Sequence, residues 1–239
     1  MLRVHYIIHE SYESAGAIEE WVAARGHSAS YSRVYEGDKL PSPVEDIDLL
    51  VVMGGPQSAS TTKEECPYFD AEAEKKLIKT CVDAGKKVFG VCLGAQLLGE
   101  ALGAKTEHSP SKEIGCFPVF FTKEGLQDSC SRKPLVMGHW HSDMPGLTDD
   151  AVVLAYSEGC PRQIIRYKPN AYGFQCHCEF TKQTVLQMIN QSPEEFTAEN
   201  LQKNRFIQSP NDILNFDYSE MNAFLFGFLD DFIAQPSPS

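Results

Sequence analysis

The chain has 239 residues, 42% hydrophobic and 23% charged, a composition that suits a soluble α/β protein with a sizeable core. Its formal charge of −12 repels phosphate backbones and anionic bilayers, so neither nucleic acid nor membrane is expected as a partner. No stretch of about 18 apolar residues occurs, Met1 to Glu10 is too short and mixed for a secretory leader, and the eight cysteines follow no disulfide or CxxC spacing, which together point to reduced thiols in the cytoplasm.

Arg3 to Ile8 reads as a first strand and Ala15 to Arg25 as a helix that stops at Gly26. Ser28 to Val34 predicts a second strand before the polar turn Glu36-Gly37-Asp38. Ile47 to Met53 is a continuous apolar run closed by Gly54-Gly55-Pro56, the pattern of a strand covered on both faces. Asp70 to Asp83 predicts a helix ending at Gly85, followed by a buried strand (Val88 to Val91), Cys92 and another helix. Strands alternating with helices imply a doubly wound, mainly parallel sheet with helices on both faces, of the flavodoxin-like kind. Sites in such sheets lie at the carboxyl ends of the strands, where Gly54-Gly55-Pro56 and Cys92 fall.

From Glu107 the pattern changes. Ile114 to Thr122, Leu135 to His141, Val152 to Tyr156, Gln163 to Tyr167 and Ala171 to Cys178 read as strands in quick succession, a small antiparallel extension or flap. Thr181 to Asn190 predicts a helix, Ser192 to Ser219 loops with short helices, Met221 to Ile233 a final amphipathic helix, and Gln235 to Ser239 a frayed tail. No repeat or linker interrupts the chain, so 1–239 reads as a single domain with 192–239 as a helical and looped extension.

Cys92 sits between two glycines in Gly90-Val91-Cys92-Leu93-Gly94. A tight strand-to-helix corner with small neighbours lifts a side chain out of the sheet, the geometry of a nucleophile elbow. The helix that follows points unpaired N–H groups and its positive dipole end at the sulfur, which favours thiolate. The competing reading is a buried structural cysteine. A nucleophilic cysteine needs a base, and the base an orienting group. Among seven histidines, His177 stands out in Gln175-Cys176-His177-Cys178-Glu179, because the period of two puts His177 and Glu179 on one face. Acyl transfer also needs oxyanion donors, for which the Leu93 amide and the Gly54-Gly55-Pro56 turn are candidates.

Met53-Gly54-Gly55-Pro56, Gly90-Val91-Cys92-Leu93-Gly94-Ala95-Gln96 and His177-Cys178-Glu179, in that order, resemble the GGP, G-x-C-x-G-x-Q and H-x-E motifs of class I glutamine amidotransferases. The similarity spans about residues 45 to 180 and looks closest to the glutaminase domain of GMP synthase. It implies Cys92 as nucleophile, His177 as base, Glu179 as its partner, and the amides of Gly55 and Leu93 as the oxyanion hole. It places Gly54 and Gln96 beside the bound glutamine. Gly138-His139-Trp140-His141-Ser142-Asp143 resembles the stretch flanking the family's glutamine pocket, which adds His141 and Asp143; packing histidines in a half-buried strand are the alternative. Glu113-Ile114-Gly115 resembles a strand that starts the second half of the fold.

The implied reaction releases ammonia from glutamine through a γ-glutamyl thioester, without cofactor or metal. The usual proline between the histidine and glutamate is Cys178, and the preceding aromatic is Cys176; alternation turns both away from the triad face. No synthetase unit follows, so the expected ammonia acceptor is a separate synthetase subunit, and hydrolysis of a γ-glutamyl peptide by the same triad is the alternative. A catalytically silent binding module and a zinc site from Cys176, His177, Cys178, His139 and His141 are the remaining readings. The sequence sets no oligomeric state.

Overall fold

The computed structural model describes residues 1–128 and 133–236, so the expected frayed tail lies outside the described residues from 237 onward. The first half runs β1 (Arg3–Ile8), α1 (Ala17–Ala24), β2 (Ser28–Arg33), β3 (Leu49–Val52), α2 (Ala71–Asp83), β4 (Lys87–Val91) and α3 (Leu93–Ala101). It continues with β5 (Glu107–Phe121), α4 (Lys123–Asp128), β6 (Leu135–Met144), β7 (Val152–Ser157), β8 (Ile164–Lys168) and β9 (Ala171–Phe174). Four helices follow: α5 (Lys182–Gln191), α6 (Ala198–Lys203), α7 (Pro210–Leu214) and α8 (Ser219–Ala234).

The nine strands among the described residues form one sheet in the order β2-β1-β3-β4-β9-β8-β7-β5-β6. The pairs from β2 to β9 are parallel, and those from β9 through β8, β7 and β5 to β6 are antiparallel. The late strands therefore extend the main sheet rather than fold off as a flap. Alternation along the buried parallel strands divides the core in two. Leu49 and Val51 of β3 and Phe89 of β4 face α1 and α8, whereas Leu50 and Val52 of β3 and Val88 of β4 face α2 and α3. The C-terminal segment expected as an extension supplies α8, whose Phe228 packs on Phe89, Tyr172 and Phe174 of the central strands. Burying those aromatic faces is what fixes α8 on the sheet.

Local chemistry sets the helix starts. Asp70 caps α2 by accepting from Ala73 N, and Thr181 forms a reciprocal capping box with Thr184 at α5. The short α4, absent from the sequence-based expectation, is started by Thr122 Oγ1 accepting from Gly125 N. Several strand limits differ from expectation: β5 starts at Glu107 rather than Ile114, and β6 runs on to Met144 rather than ending at His141. β2 ends at Arg33, where Val34 to Glu36 turn into a 3-10 helix. β9 ends at Phe174 rather than Cys178, because Gln175 to Glu179 leave the ladder and His177 alone among them forms a β-bridge, an isolated one to Gly138. The carboxyl ends of β1, β3, β4 and β9 all lie at one edge, and the segments that follow them build the site.

Candidate active site

Cys92 follows β4 directly and caps α3 with φ 52° and ψ −110°. It is the one non-glycine residue with positive φ among the described residues, a strained conformation held by its surroundings. Both flanking glycines are required by space. A Cβ on Gly90 would stand 2.4 Å from Gly94 O, and one on Gly94 would stand 2.0 Å from Val52 O. The Gly-x-Cys-x-Gly pattern is thus the condition for α3 to turn back over β3 at once.

The thiol lies at the floor of a cavity of about 350 Å³ lined by Glu13, Gly55, Leu93, Gln96, Trp140 and Asp143, among others. Cys92 Sγ contacts Trp140 O at 3.8 Å and accepts an N–H from Gln175 Nε2 at 3.3 Å. Gln175 is held in turn by Gln96, whose Nε2 donates to Gln175 Oε1 at 3.0 Å. Gln96 is buried at the cavity wall, so its amide orients a donor to the sulfur. This role for Gln175 was not read from the sequence, although the residue lies within the motif.

His177 Nδ1 donates to Glu179 Oε1 at 2.6 Å, with both residues buried. The ring stacks on Phe180 with centroids 4.2 Å apart, and its Nε2 has no protein hydrogen-bond partner. Burial alone would lower the imidazole pKa, but the Glu179 carboxylate and the adjacent Cys92 raise it well above the ordinary value. Two backbone bonds between His177 and Gly138 fix this segment to β6. A Cβ on Gly138 would stand 2.8 Å from His177 O. Cys176 and Cys178 both turn to Met137 Sδ at 3.5 Å, opposite His177, as alternation predicts even though the strand has ended. They and His177 therefore do not converge on one ion.

The other expected residues divide. Asp143 lines the cavity and pairs with exposed His108 at 2.6 Å. His141 touches the cavity, but its Nδ1 bonds Asp143 O at 3.0 Å and its Nε2 lies 3.3 Å from Glu113 in a buried network. Burial lowers neighbouring His139 to about 3, so that ring is neutral packing within the same network. Glu113, His141 and Cys160 are close enough to share an ion. Their polar atoms are already engaged, with Ser157 Oγ and Gln163 Nε2 both donating to Glu113. Gly54 stands behind the cavity, and a Cβ there would meet Glu13 Oε2 at 2.8 Å, Cys92 Cβ at 3.4 Å and His177 Cε1 at 3.5 Å.

That point marks a residue for which the sequence carries no signal. Glu13, in the β1–α1 loop, lines the cavity and sets its carboxylate over Gly54, near His177. Burial pushes its pKa up to about 7, against the lowering effect of His177 and His9 and with smaller help from Glu10 and Glu179. The folded chain thus holds a proton on Glu13 that the unfolded chain, titrating near 4.5, gives up earlier. This contribution to stability is complete below the unfolded value and is lost as pH rises through about 7. Glu13→Gln is expected to raise the melting temperature above pH 7 by about 3–8 °C and to change it little near pH 5. Thermal melts from pH 5 to 9 check this; a difference independent of pH would place the carboxyl's titration elsewhere.

The glutamine amidotransferase class-I family pattern matches residues 13–192. A glutamine amidotransferase-like protein of Salmonella typhimurium, YfeJ, is 52% identical over 233 residues, covering 96% of this chain and 97% of that protein. GMP synthase (glutamine-hydrolyzing) of the same organism is 30% identical over 164 residues, which cover 63% of this chain and 29% of that one. The crystal structure of SMU.1228c superposes with a TM-score of 0.94 at 47% identity, over 97% of this chain and 99% of that chain. The chain therefore belongs to the class I glutamine amidotransferases.

Proposed function

We propose that the protein is a glutaminase in which Cys92 attacks the side-chain amide of glutamine. The thiol proton passes to His177 Nε2, and the sulfur bonds the carbonyl carbon. The resulting oxyanion is met by the amides of Gly55 and Leu93. Collapse of the tetrahedral intermediate expels ammonia, which takes the proton from His177 and leaves a γ-glutamyl thioester. Water, deprotonated by the same ring, then releases glutamate. Glu179 holds the imidazole in the required tautomer and supports its positive form. The observation that carries this reading is a cavity lined by Cys92, Gly55 and Leu93, with the buried, carboxylate-held imidazole of His177 next to the thiol. Among the described residues, neither the Gly55 N–H nor the Leu93 N–H has a hydrogen-bond partner. The amides are thus free for an oxyanion.

A second reading, hydrolysis of γ-glutamyl peptides or amides, is favoured by the cavity itself. It runs past the thiol to Tyr12, Gln57, Glu194 and Glu195, and its volume of about 350 Å³ lies within the range of about 300–1,000 Å³ that holds drug-sized ligands. Both readings share the first acylation. A separate synthetase subunit that takes the ammonia belongs to the first of them. The continuous sheet and the docked α8 support treating the whole chain as one domain. Among the described residues no helix is long and apolar enough to cross a membrane. The seven described cysteines are free, which suits a reducing, cytoplasmic setting.

The test uses a glutamine-derived electrophile that needs the pocket to react. Burial pushes Cys81 and Cys160 up to about 11 and Cys116 to about 12, so those thiols are poor nucleophiles. Labelling with 6-diazo-5-oxo-norleucine followed by peptide mapping is expected to modify Cys92 alone, with protection by glutamate. Labelling spread over several cysteines would remove the nucleophile assignment.

A further inference from the structure

Beneath the Gly54-Gly55-Pro56 turn lies a charged pair that the reaction as described does not use. His9, at the end of β1, is completely buried, and Glu74 of α2 is 1% exposed. His9 Nε2 lies 2.9 Å from Glu74 Oε2, and its Nδ1 lies 2.9 Å from Gly54 O. Both partners are acceptors, so both ring nitrogens carry protons. Burial opposes that charge, but Glu74 and the Gly54 carbonyl outweigh it and raise the His9 pKa. A buried ion pair seldom adds stability over well-packed apolar groups, so its presence here points to a job other than holding the fold.

We propose that His9, held by Glu74, is a positioning residue for the oxyanion site: its Nδ1–H fixes the Gly54–Gly55 peptide so that the Gly55 N–H faces the reacting carbonyl. In a planar trans peptide the C=O of one residue and the N–H of the next point in opposite directions. Drawing the Gly54 oxygen down to His9 sends the Gly55 N–H the other way, into the cavity that Gly55 lines with Cys92 and Leu93. The unit most in need of such a clamp is one between two glycines, whose backbones turn over with little steric resistance. Without His9 the same peptide can present its carbonyl to the cavity, and the partial negative charge there would repel a forming oxyanion. The imidazolium also polarises the peptide and so strengthens its N–H as a donor. Packing reinforces the arrangement: a Cβ on Gly55 would meet His9 Cβ at 2.9 Å, and the His9 ring is backed edge-on by Phe69.

The inference rests on the acyl-transfer reading, and its test separates the two. An asparagine amide nitrogen stands about where Nδ1 does, and a glutamine amide reaches the Nε2 position. His9→Asn keeps the donor to Gly54 O, while His9→Gln keeps only the Glu74 contact. Because His9→Asn strands the Glu74 carboxylate, the double variant His9→Asn/Glu74→Leu is measured beside it. With a γ-glutamyl substrate that the wild type turns over, His9→Gln is expected to lose about 100-fold in kcat with KM nearly unchanged. At least one of the asparagine variants should stay within about 10-fold of the wild type, since the oxyanion donor is retained. A crystal structure of His9→Gln should have the Gly54 carbonyl turned toward Cys92. Equal losses in the glutamine and asparagine variants, a wild-type kcat in His9→Gln, or an unturned peptide in that variant would overturn the clamp. If the wild type turns over no γ-glutamyl substrate, the acyl-transfer reading fails, and the peptide orientation in His9→Gln still decides the proposal.

Discussion

Replacing Cys92 by Ala is expected to reduce turnover of glutamine, or of any γ-glutamyl amide the protein accepts, by about 10⁴-fold or more. The reason is that every later step requires the carbon–sulfur bond. Without the thiol, His177 has no proton to take from the nucleophile, and water is not held at the attack position. The fold should survive. Cys92 Sγ contacts Trp140 O and the Gln175 amide and lies beside His177, none of which anchors the fold, so its loss is expected to shift unfolding by about 1 kcal/mol or less. Ammonia and glutamate release by wild type and variant, with thermal melts of both, checks the two halves together. Retained turnover in Cys92→Ala would reject the mechanism. An inactive variant that has also unfolded would say nothing about chemistry, which is why the melts belong to the same experiment. Positive φ at Cys92 adds a control: Cys92→Gly relieves a strain of about 1–3 kcal/mol and should melt higher than Cys92→Ala while being equally inactive.

The largest effect on stability is expected two residues further on. A methyl group at Gly94 would stand 2.0 Å from Val52 O, 2.6 Å from Val52 C and 3.0 Å from Val52 Cβ. Two of these atoms are backbone of a central strand, so no side chain can swing aside. Gly94→Ala must push α3 off β3, opening the layer where Leu97 and Leu98 pack, at a cost of about 3 kcal/mol or more. Gly103→Ala is the comparison. It lies just past the end of α3 and has a φ of +97°, but open space surrounds it, so only the backbone cost of about 1 kcal/mol applies. Urea unfolding of the two variants measures the difference. A loss at Gly94 no greater than that at Gly103 would mean that α3 accommodates the methyl group by shifting.

Gly90 and Gly94 show why the corner was legible in the sequence. The run Val88 to Val91, one cysteine and an immediate helix with glycines on either side encode a local geometry that requires little knowledge of the rest of the chain. The same holds for the strand before Gly54-Gly55-Pro56, whose continuous apolar run correctly announced a sheet covered on both faces. His177 and Glu179 are two residues apart, and their 2.6 Å contact follows from that spacing although the strand expected to carry them ends at Phe174. Where the sequence reading stretched that strand to Cys178, it took apolar alternation as evidence of ladder pairing. Alternation survives in a segment tied to the sheet by a single isolated bridge.

Residues far apart in the chain were beyond that reasoning. His9 and Glu74 are 65 positions apart, and Gln96 and Gln175 are 79 apart. Only the strand order β1-β3-β4-β9 brings the ends of their segments to one edge. Glu13 carries no motif at all, and its carboxyl shares the space left by Gly54 solely because the β1–α1 loop folds over that turn. His141 and His139 looked equally fit for pocket or packing. β6 lies beside β5, across from Glu113, and this placed both rings in one buried network, with His141 also reaching the cavity beside Trp140 and Asp143. Local spacing by itself determined the layered α/β architecture, the elbow at Cys92 and the His177–Glu179 pair, because each depends on backbone period and on side-chain volume within a few residues. Tertiary structure decided which amide reaches the sulfur, which carboxylate lies beside the imidazole and what holds the Gly54–Gly55 peptide, because those contacts close loops of tens of residues whose ends are joined only by the sheet.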